Sequence, residues 1–229
     1  MMKRTRRPLC LLALSLALGA WAAGAPAAET GDEEHQHESP AQAGEDPHAH
    51  HRAMMAKPAE TAQAAQVELR DLPLIDQDGR QLRFVSDVIG DRVVVVDFVY
   101  TTCTTVCPVL SALFGQVQER LGERLGDQVS LVSMSVDPTR DTPQRLKAYA
   151  ASHKAQPGWV WLTGPKSAVD QVLDGLDAYT PNFEDHAAMV LVGDGRTGEW
   201  VRLFGFPSPD RIMEKVDALL AARTSSAGG

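Results

Sequence analysis

The 229-residue chain has little of what marks several function classes. Three cysteines are too few for a disulfide-stapled scaffold. Aromatic residues make up 6%, too few for a base-stacking platform. A basic excess is missing: 30 acidic residues outweigh 22 basic ones, and the formal charge of -8 argues against sequence-independent nucleic-acid binding. There is no phosphate-binding glycine loop, no hydrolase nucleophile elbow, no zincin helix and no internal repeat. Apolar residues still reach 44%, ordinary for a globular protein, and the length suffices for a buried core in one or two domains.

One long apolar run exists, Leu9 to Ala25, preceded by Lys3, Arg4, Arg6 and Arg7 and ending in Ala25-Pro26-Ala27-Ala28. A charged start, an apolar stretch and an A-x-A-like end describe an export signal, with cleavage expected after Ala27. The run of 17 residues is only marginally long enough to span a bilayer, so residues 1–27 are either a signal peptide or a membrane anchor. Arg6-Arg7 is a bare twin-arginine pair. Cys10 sits at the start of the apolar run and not after it, which argues against a lipidated cysteine, and it leaves with a cleaved signal. The exported part then holds two thiols, Cys103 and Cys107, and an even pair in that setting is a disulfide or a metal site. The expected location is the periplasm, either free or anchored in the inner membrane and facing it.

Residues 28–65 contain no Val, Ile, Leu, Phe, Tyr or Trp and carry eight acids against Arg52 and Lys57. Such a segment buries too little apolar surface to offset its ordering entropy, so it is expected to be disordered. It holds His35, His37, His48, His50 and His51, with Met54 and Met55 close behind. Imidazole and thioether suit copper, and a plain solvating linker explains the same composition.

From residue 66 to 223 the pattern is globular, with 224–229 as a flexible tail. Leu72–Ile75 and Gln81–Val85 flank Asp78-Gly79, a hairpin signal. Val93–Tyr100 and Val129–Val136 read as buried strands, and Trp159–Leu162 as a third. A helix is expected from Cys107, with Pro108 in its first turn and a stripe of Leu110, Leu113, Phe114, Val117 and Leu121. Thr142-Pro143 caps a second helix, Gly164-Pro165 precedes a third, and Ser208-Pro209 opens a last one to about Ala222. Ala188–Val192 and Trp200–Phe206 form a strand pair. Alternating strands and helices closed by an antiparallel pair and a helix predict an α/β, thioredoxin-like fold: a central mixed sheet flanked by helices, with an N-terminal hairpin.

The strongest chemical signal is the run from Val94 to Pro108, where a buried strand ends and two thiols come next at the mouth of a helix. Ligands bind beyond the carboxyl ends of strands in open α/β sheets. A helix N-terminus favours thiolate, the form that ligates metal and attacks disulfides. Cysteines four apart on a helical turn have Cβ atoms ~5–6 Å apart. A disulfide needs ~3.5–4.5 Å, so oxidation requires local adjustment, while two thiolates can converge on one soft ion. A third donor is then wanted. His153, in Ser152-His153-Lys154, has a surface setting. His186 lies in the loop before the Ala188 strand, which abuts the cysteine turn in a thioredoxin-like sheet, and can complete a Cys2His set suited to copper as Cu(I) or Cu(II). A solvent-exposed loop histidine is the alternative. Asp97, which interrupts the apolar strand, is a candidate buried carboxylate near the site, and Asp185 a candidate acceptor that orients His186.

Three motifs in order resemble the Sco/SenC family of copper-binding cytochrome c oxidase assembly factors: Asp97-Phe98-x-Tyr100-Thr101-x-Cys103-x-x-x-Cys107-Pro108; Ser135-Val136-Asp137-Pro138-x-Arg140-Asp141-Thr142-Pro143; and Asp185-His186 before an apolar strand. The likeness covers roughly residues 67–220. It implies that Cys103, Cys107 and His186 bind one copper ion. It also implies delivery to the dinuclear copper site of oxidase subunit II or another copper protein, or reduction of that site's cysteines with the help of a thiol reductant. Thr104 stands where family members often carry proline, a change that bears on thiol geometry and redox poise. Asp137, Arg140 and Asp141 serve as turn and cap residues, or orient the copper loop or a partner. Four functions compete: a copper metallochaperone, a thiol-disulfide oxidoreductase with catalytic Cys103 and Cys107, a copper or redox sensor, and a thiol peroxidase built on Thr-x-x-Cys.

Deleting residues 28–65 separates the two readings of the histidine-rich segment. Fewer weak copper sites by equilibrium dialysis is the outcome for metal capture; an unchanged weak-site count leaves only the linker.

Overall fold

The computed structural model describes residues 62–226. The expectations for the signal, and for the segment up to residue 61, lie outside the described residues. Eight strands form one mixed sheet: β1 (Ala62–Ala64), β2 (Pro73–Asp76), β3 (Gln81–Arg83), β4 (Val93–Val99), β5 (Val129–Ser135), β6 (Trp159–Thr163), β7 (Met189–Asp194) and β8 (Trp200–Phe204). Their spatial order is β1-β8-β7-β4-β5-β6-β2-β3. Strands β4, β5 and β6 run parallel, with Val93 opposite Val129 and Leu131 opposite Trp159. The remaining pairs are antiparallel, including β4 with β7. Among the described residues, four α-helices complete the thioredoxin-like arrangement: α1 (Val106–Leu121), α2 (Pro143–Ser152), α3 (Lys166–Gly175) and α4 (Pro209–Ser226).

The alternation of β4 splits the core in two. Val93, Val95 and Val99 pack with Leu110, Phe114, Val117 and Leu121 of α1 and with Ile212, Val216 and Leu219 of α4. Val94, Val96 and Phe98 pack on the other face with Val169, Val172 and Leu173 of α3 and with Phe84, Val88 and Ile89. Each such fully buried side chain contributes about 1.5–3 kcal/mol of transfer free energy, so α1 is held where its apolar stripe meets the sheet. Thr142 caps α2 as its sequence suggests: its side chain accepts from the backbone N–H of Arg145 at 3.3 Å, with Pro143 in the first turn. In the hairpin turn Gly79 sits at φ +81, a left-handed value that glycine adopts without steric cost. Gly158 packs so closely on Gly126 that a Cβ there would lie 2.6 Å from the Gly126 nitrogen.

Several boundaries differ from the sequence reading. Ala62–Ala64, expected within the disordered segment, pairs with Val201–Leu203 as an edge strand. Phe84 and Val85 leave the hairpin for a helical turn, Phe84–Ile89, because Asp71 draws the backbone N–H groups of Val85 and Ser86 onto its carboxylate at 2.9 and 3.0 Å. Helix α4 extends to Ser226, past the expected start of the tail. Helix α1 starts at Val106, so Pro108 is its third residue, where the N–H it lacks has no partner within the helix in any case.

Candidate metal centre

Strand β4 is buried along all seven residues and ends at Val99. The chain then turns over the end of the sheet. The carboxylate of Asp141, 1% exposed, holds that turn from below. It accepts from the Thr101 N–H at 3.1 Å and the Thr101 hydroxyl at 2.6 Å, and its second oxygen accepts from Ser135 Oγ at 2.6 Å. Cys103 closes the next step, its N–H donating to the Tyr100 carbonyl at 3.0 Å.

Cys103 is therefore not on the helix, as the i, i+4 reading supposed. It precedes the helix and caps it. The nominal cap, Thr105, makes no side-chain bond to the first turn, and the N–H of Cys107 donates instead to Cys103 Sγ at 3.3 Å. Both thiols are free and buried. Their environments drive them apart. Burial opposes ionisation of Cys103, yet hydrogen bonds from the Cys107 thiol, the Cys107 and Thr105 N–H groups and the Tyr100 hydroxyl outweigh it and lower its pKa to about 6. Burial and donation of its proton to Cys103 push Cys107 well above the usual thiol range. Tyr100 is pushed up to about 12, chiefly by its bond to Cys103.

His186 comes directly after the short turn Phe183–Asp185 on the far side of the same hollow. Its ring lies 5.0 Å from that of Phe98. Burial lowers its pKa to about 4, so the imidazole is neutral at physiological pH. Its Nε2 is buried without a hydrogen-bond partner, a costly state for a polar atom and one that a bound ion relieves. Cys103, Cys107 and His186 line one cavity of about 60 Å³, with Phe98, Tyr100 and Glu184 among its other walls. Organic ligands occupy pockets of about 300–1,000 Å³, so this hollow suits an ion. Two sulfurs, one of them readily ionised, and a neutral imidazole make a soft donor set that fits copper. Among the described residues no group of three or more His, Cys, Asp or Glu side chains already stands at metal-holding separation.

Sequence comparison decides the family: residues 60–221 match SCO1/SenC. The chain belongs to the SCO1/SenC family. The SCO1 protein homolog of Bacillus subtilis is 34% identical over 98 residues, 42% of this chain and 49% of that protein, so the chain spans about half the length of that relative. The structure of BsSco, a member of the Sco family of cytochrome c oxidase assembly proteins with a disulfide switch, is 25% identical, covers 68% of this chain and 95% of that one, and superposes with a TM-score of 0.58. Bradyrhizobium japonicum ScoI with copper bound is 26% identical over 70% of this chain and 98% of that one, with a TM-score of 0.52.

On this Sco scaffold the other sequence candidates separate. Asp185 does not orient His186: it is exposed and accepts from Asn182 Nδ2 at 3.1 Å. His153 is half-buried, its ring tilted against that of Tyr149 with centroids 4.8 Å apart, and it does not line the cavity. Asp97 is fully buried on the sheet face shared with the cysteines. Ser133 Oγ donates to its Oδ1 at 2.6 Å and itself receives Trp159 Nε1 at 2.9 Å, while Oδ2 has no partner. Sequence reasoning missed Phe183, whose ring meets Tyr100 edge-on at 5.0 Å and lies 5.3 Å below the Arg140 guanidinium. Its place three residues before His186 was the available signal.

Burial raises the pKa of Asp97 to about 7. Between about pH 4 and 7 the unfolded chain releases this proton while the fold retains it, so the group lowers stability as pH rises through that window. His186 acts oppositely between about 4 and its ordinary 6.5, which makes the variant comparison the informative one. Thermal melts of Asp97→Asn and wild type across this range are expected to diverge as pH rises, the variant gaining relative stability. Parallel curves would show that Asp97 ionises normally.

Proposed function

We propose that this chain is an exported copper metallochaperone. It binds one copper ion through Cys103, Cys107 and His186 and passes it to the dinuclear copper site of a cytochrome c oxidase, through subunit II, or to another copper protein. The observation that carries the reading is the unpartnered, buried imidazole nitrogen on the wall of a cavity whose other donors are two thiols. Family membership and the copper-bound Bradyrhizobium japonicum relative support it. The sequence of residues 1–27 supports export to the periplasm, as a cleaved or a membrane-anchored form.

Copper is cargo here, and the chain's own groups set the terms of its binding. Cys103 is largely thiolate near neutral pH. Cys107 keeps its proton until copper displaces it. Once both thiolates hold the ion, the neutral His186 can join without losing a proton. Exit of the ion returns a proton to Cys107.

A second reading rests on the same asymmetry. A low-pKa thiol beside a protonated one is the arrangement of a nucleophile and its resolving partner, so Cys103 and Cys107 can reduce a disulfide in a target protein. Two electrons pass from the dithiol to that disulfide, and a thiol reductant must restore the pair. Oxidised, the pair cannot hold Cu(I), so one site serves both activities in alternation.

Copper titration of the reduced protein is expected to show one tight equivalent, abolished by Cys103→Ser or Cys107→Ser and weakened about 10–100-fold by His186→Ala. Calorimetry in buffers of different ionisation heat is expected to report about one proton released at pH 7. Binding that ignores His186, with the two thiols cycling readily to a disulfide, would leave the reductase reading in its place.

A further inference from the structure

The Cys2His reading leaves a mechanical problem. Cys103 and Cys107 are anchored by β4 and α1, but His186 sits on a segment with few attachments. Among the described residues, the hydrogen bonds of residues 182–186 close within the segment: Asp185 N–H to the Asn182 carbonyl at 3.1 Å, His186 N–H to the Phe183 carbonyl at 3.3 Å, Glu184 N–H to Asn182 Oδ1 at 3.3 Å and Asn182 Nδ2 to Asp185 at 3.1 Å. Contact with the cysteine half passes through rings, Phe183 on Tyr100 and His186 on Phe98.

Phe183 is gripped from its other side by Arg140, whose guanidinium lies 5.3 Å from the ring centroid and also acts electrostatically on Glu184. That guanidinium is itself aimed. It donates to Asp137 Oδ2 at 2.9 Å, and Asp137 is fixed by Thr139 Oγ1 at 2.8 Å on its other oxygen. The next residue, Asp141, holds Thr101 two positions before Cys103. A single turn, Asp137–Asp141, therefore grips both halves of the centre, the thiol turn through Asp141 and the imidazole segment through Arg140.

We propose that Arg140 is a positioning residue for copper binding: by pinning Phe183 against Tyr100 it fixes the root of the His186 segment, so that the imidazole reaches the two sulfurs over a short arc. This rests on the Cys2His reading. The guanidinium touches neither copper nor a ligand. Its contribution is preorganisation: with the root pinned, less freedom is lost when the third donor closes. Removing it lowers affinity only through His186.

A double-mutant cycle tests this, using copper affinity of the full reduced chain by chelator competition and the thiolate-to-Cu(II) charge-transfer spectrum. Arg140→Ala and Phe183→Leu are each expected to weaken copper about tenfold and to shift the spectrum toward that of His186→Ala. In the His186→Ala background neither is expected to add anything, and Phe183→Tyr, which keeps the ring, is expected to retain wild-type affinity. The rate of Cys103 alkylation is expected to stay unchanged, showing an intact thiol turn. Equal losses in both backgrounds would overturn the proposal, because Arg140 would then act on the fold or the thiols. So would an unaltered affinity while His186→Ala alone weakens binding. No effect of His186→Ala itself would instead overturn the Cys2His reading and the role of Arg140 with it.

Discussion

Strand β4 is buried on both faces, and that constraint governs the path of the chain beyond it. A strand with no solvent-facing side must leave the sheet abruptly once its partners end. Here it leaves between α1 and the segment entering β7. The first turn of α1 has N–H groups that the helix cannot satisfy. The sulfur of Cys103 accepts from one of them at 3.3 Å, and the Cys107 thiol, keeping its proton, donates a hydrogen bond to the same sulfur. Fold and reactivity are thus one arrangement: the bond that caps the helix is among those that lower the Cys103 pKa.

The same burial acts on three more groups with different results. It strips His186 of its proton affinity, leaves Asp97 with a carboxyl near neutrality, and keeps Cys107 protonated. Burial favours the neutral form of each group, and among these four only Cys103 has enough donors to resist. An incoming soft cation reverses the balance, since it supplies the charge that the pocket otherwise excludes. The site holds its donors ready but apart.

Much of this was legible in the chain. The β-branched run of β4, the apolar stripe of α1 and the Thr142-Pro143 start of α2 arise from local periodicity and capping, and the structure bears them out. That the two cysteines and His186 line one cavity was legible because strand order brings the β7 entry loop beside the strand–helix turn. Contacts without a local signature escaped. Ala62–Ala64 has no strand-like side chains and pairs through backbone alone. Asp141 read either as helix-start chemistry or as an orienter of the cysteine loop, and its carboxylate takes the second role, spanning 40 residues to Thr101. Asp185, adjacent to His186, turned to Asn182 because an Asx-type turn offered a nearer donor. Adjacency in sequence is a weak guide to side-chain partnership in loops.

The proposed Cys103, Cys107 and His186 set puts two sulfurs and one imidazole on the ion. X-ray absorption at the copper edge of the loaded, reduced protein tests it most directly. Two sulfur scatterers and one imidazole are expected, with the imidazole signature absent in His186→Ala. Sulfur alone in the wild-type protein, or an imidazole signal that persists in the variant, would contradict it.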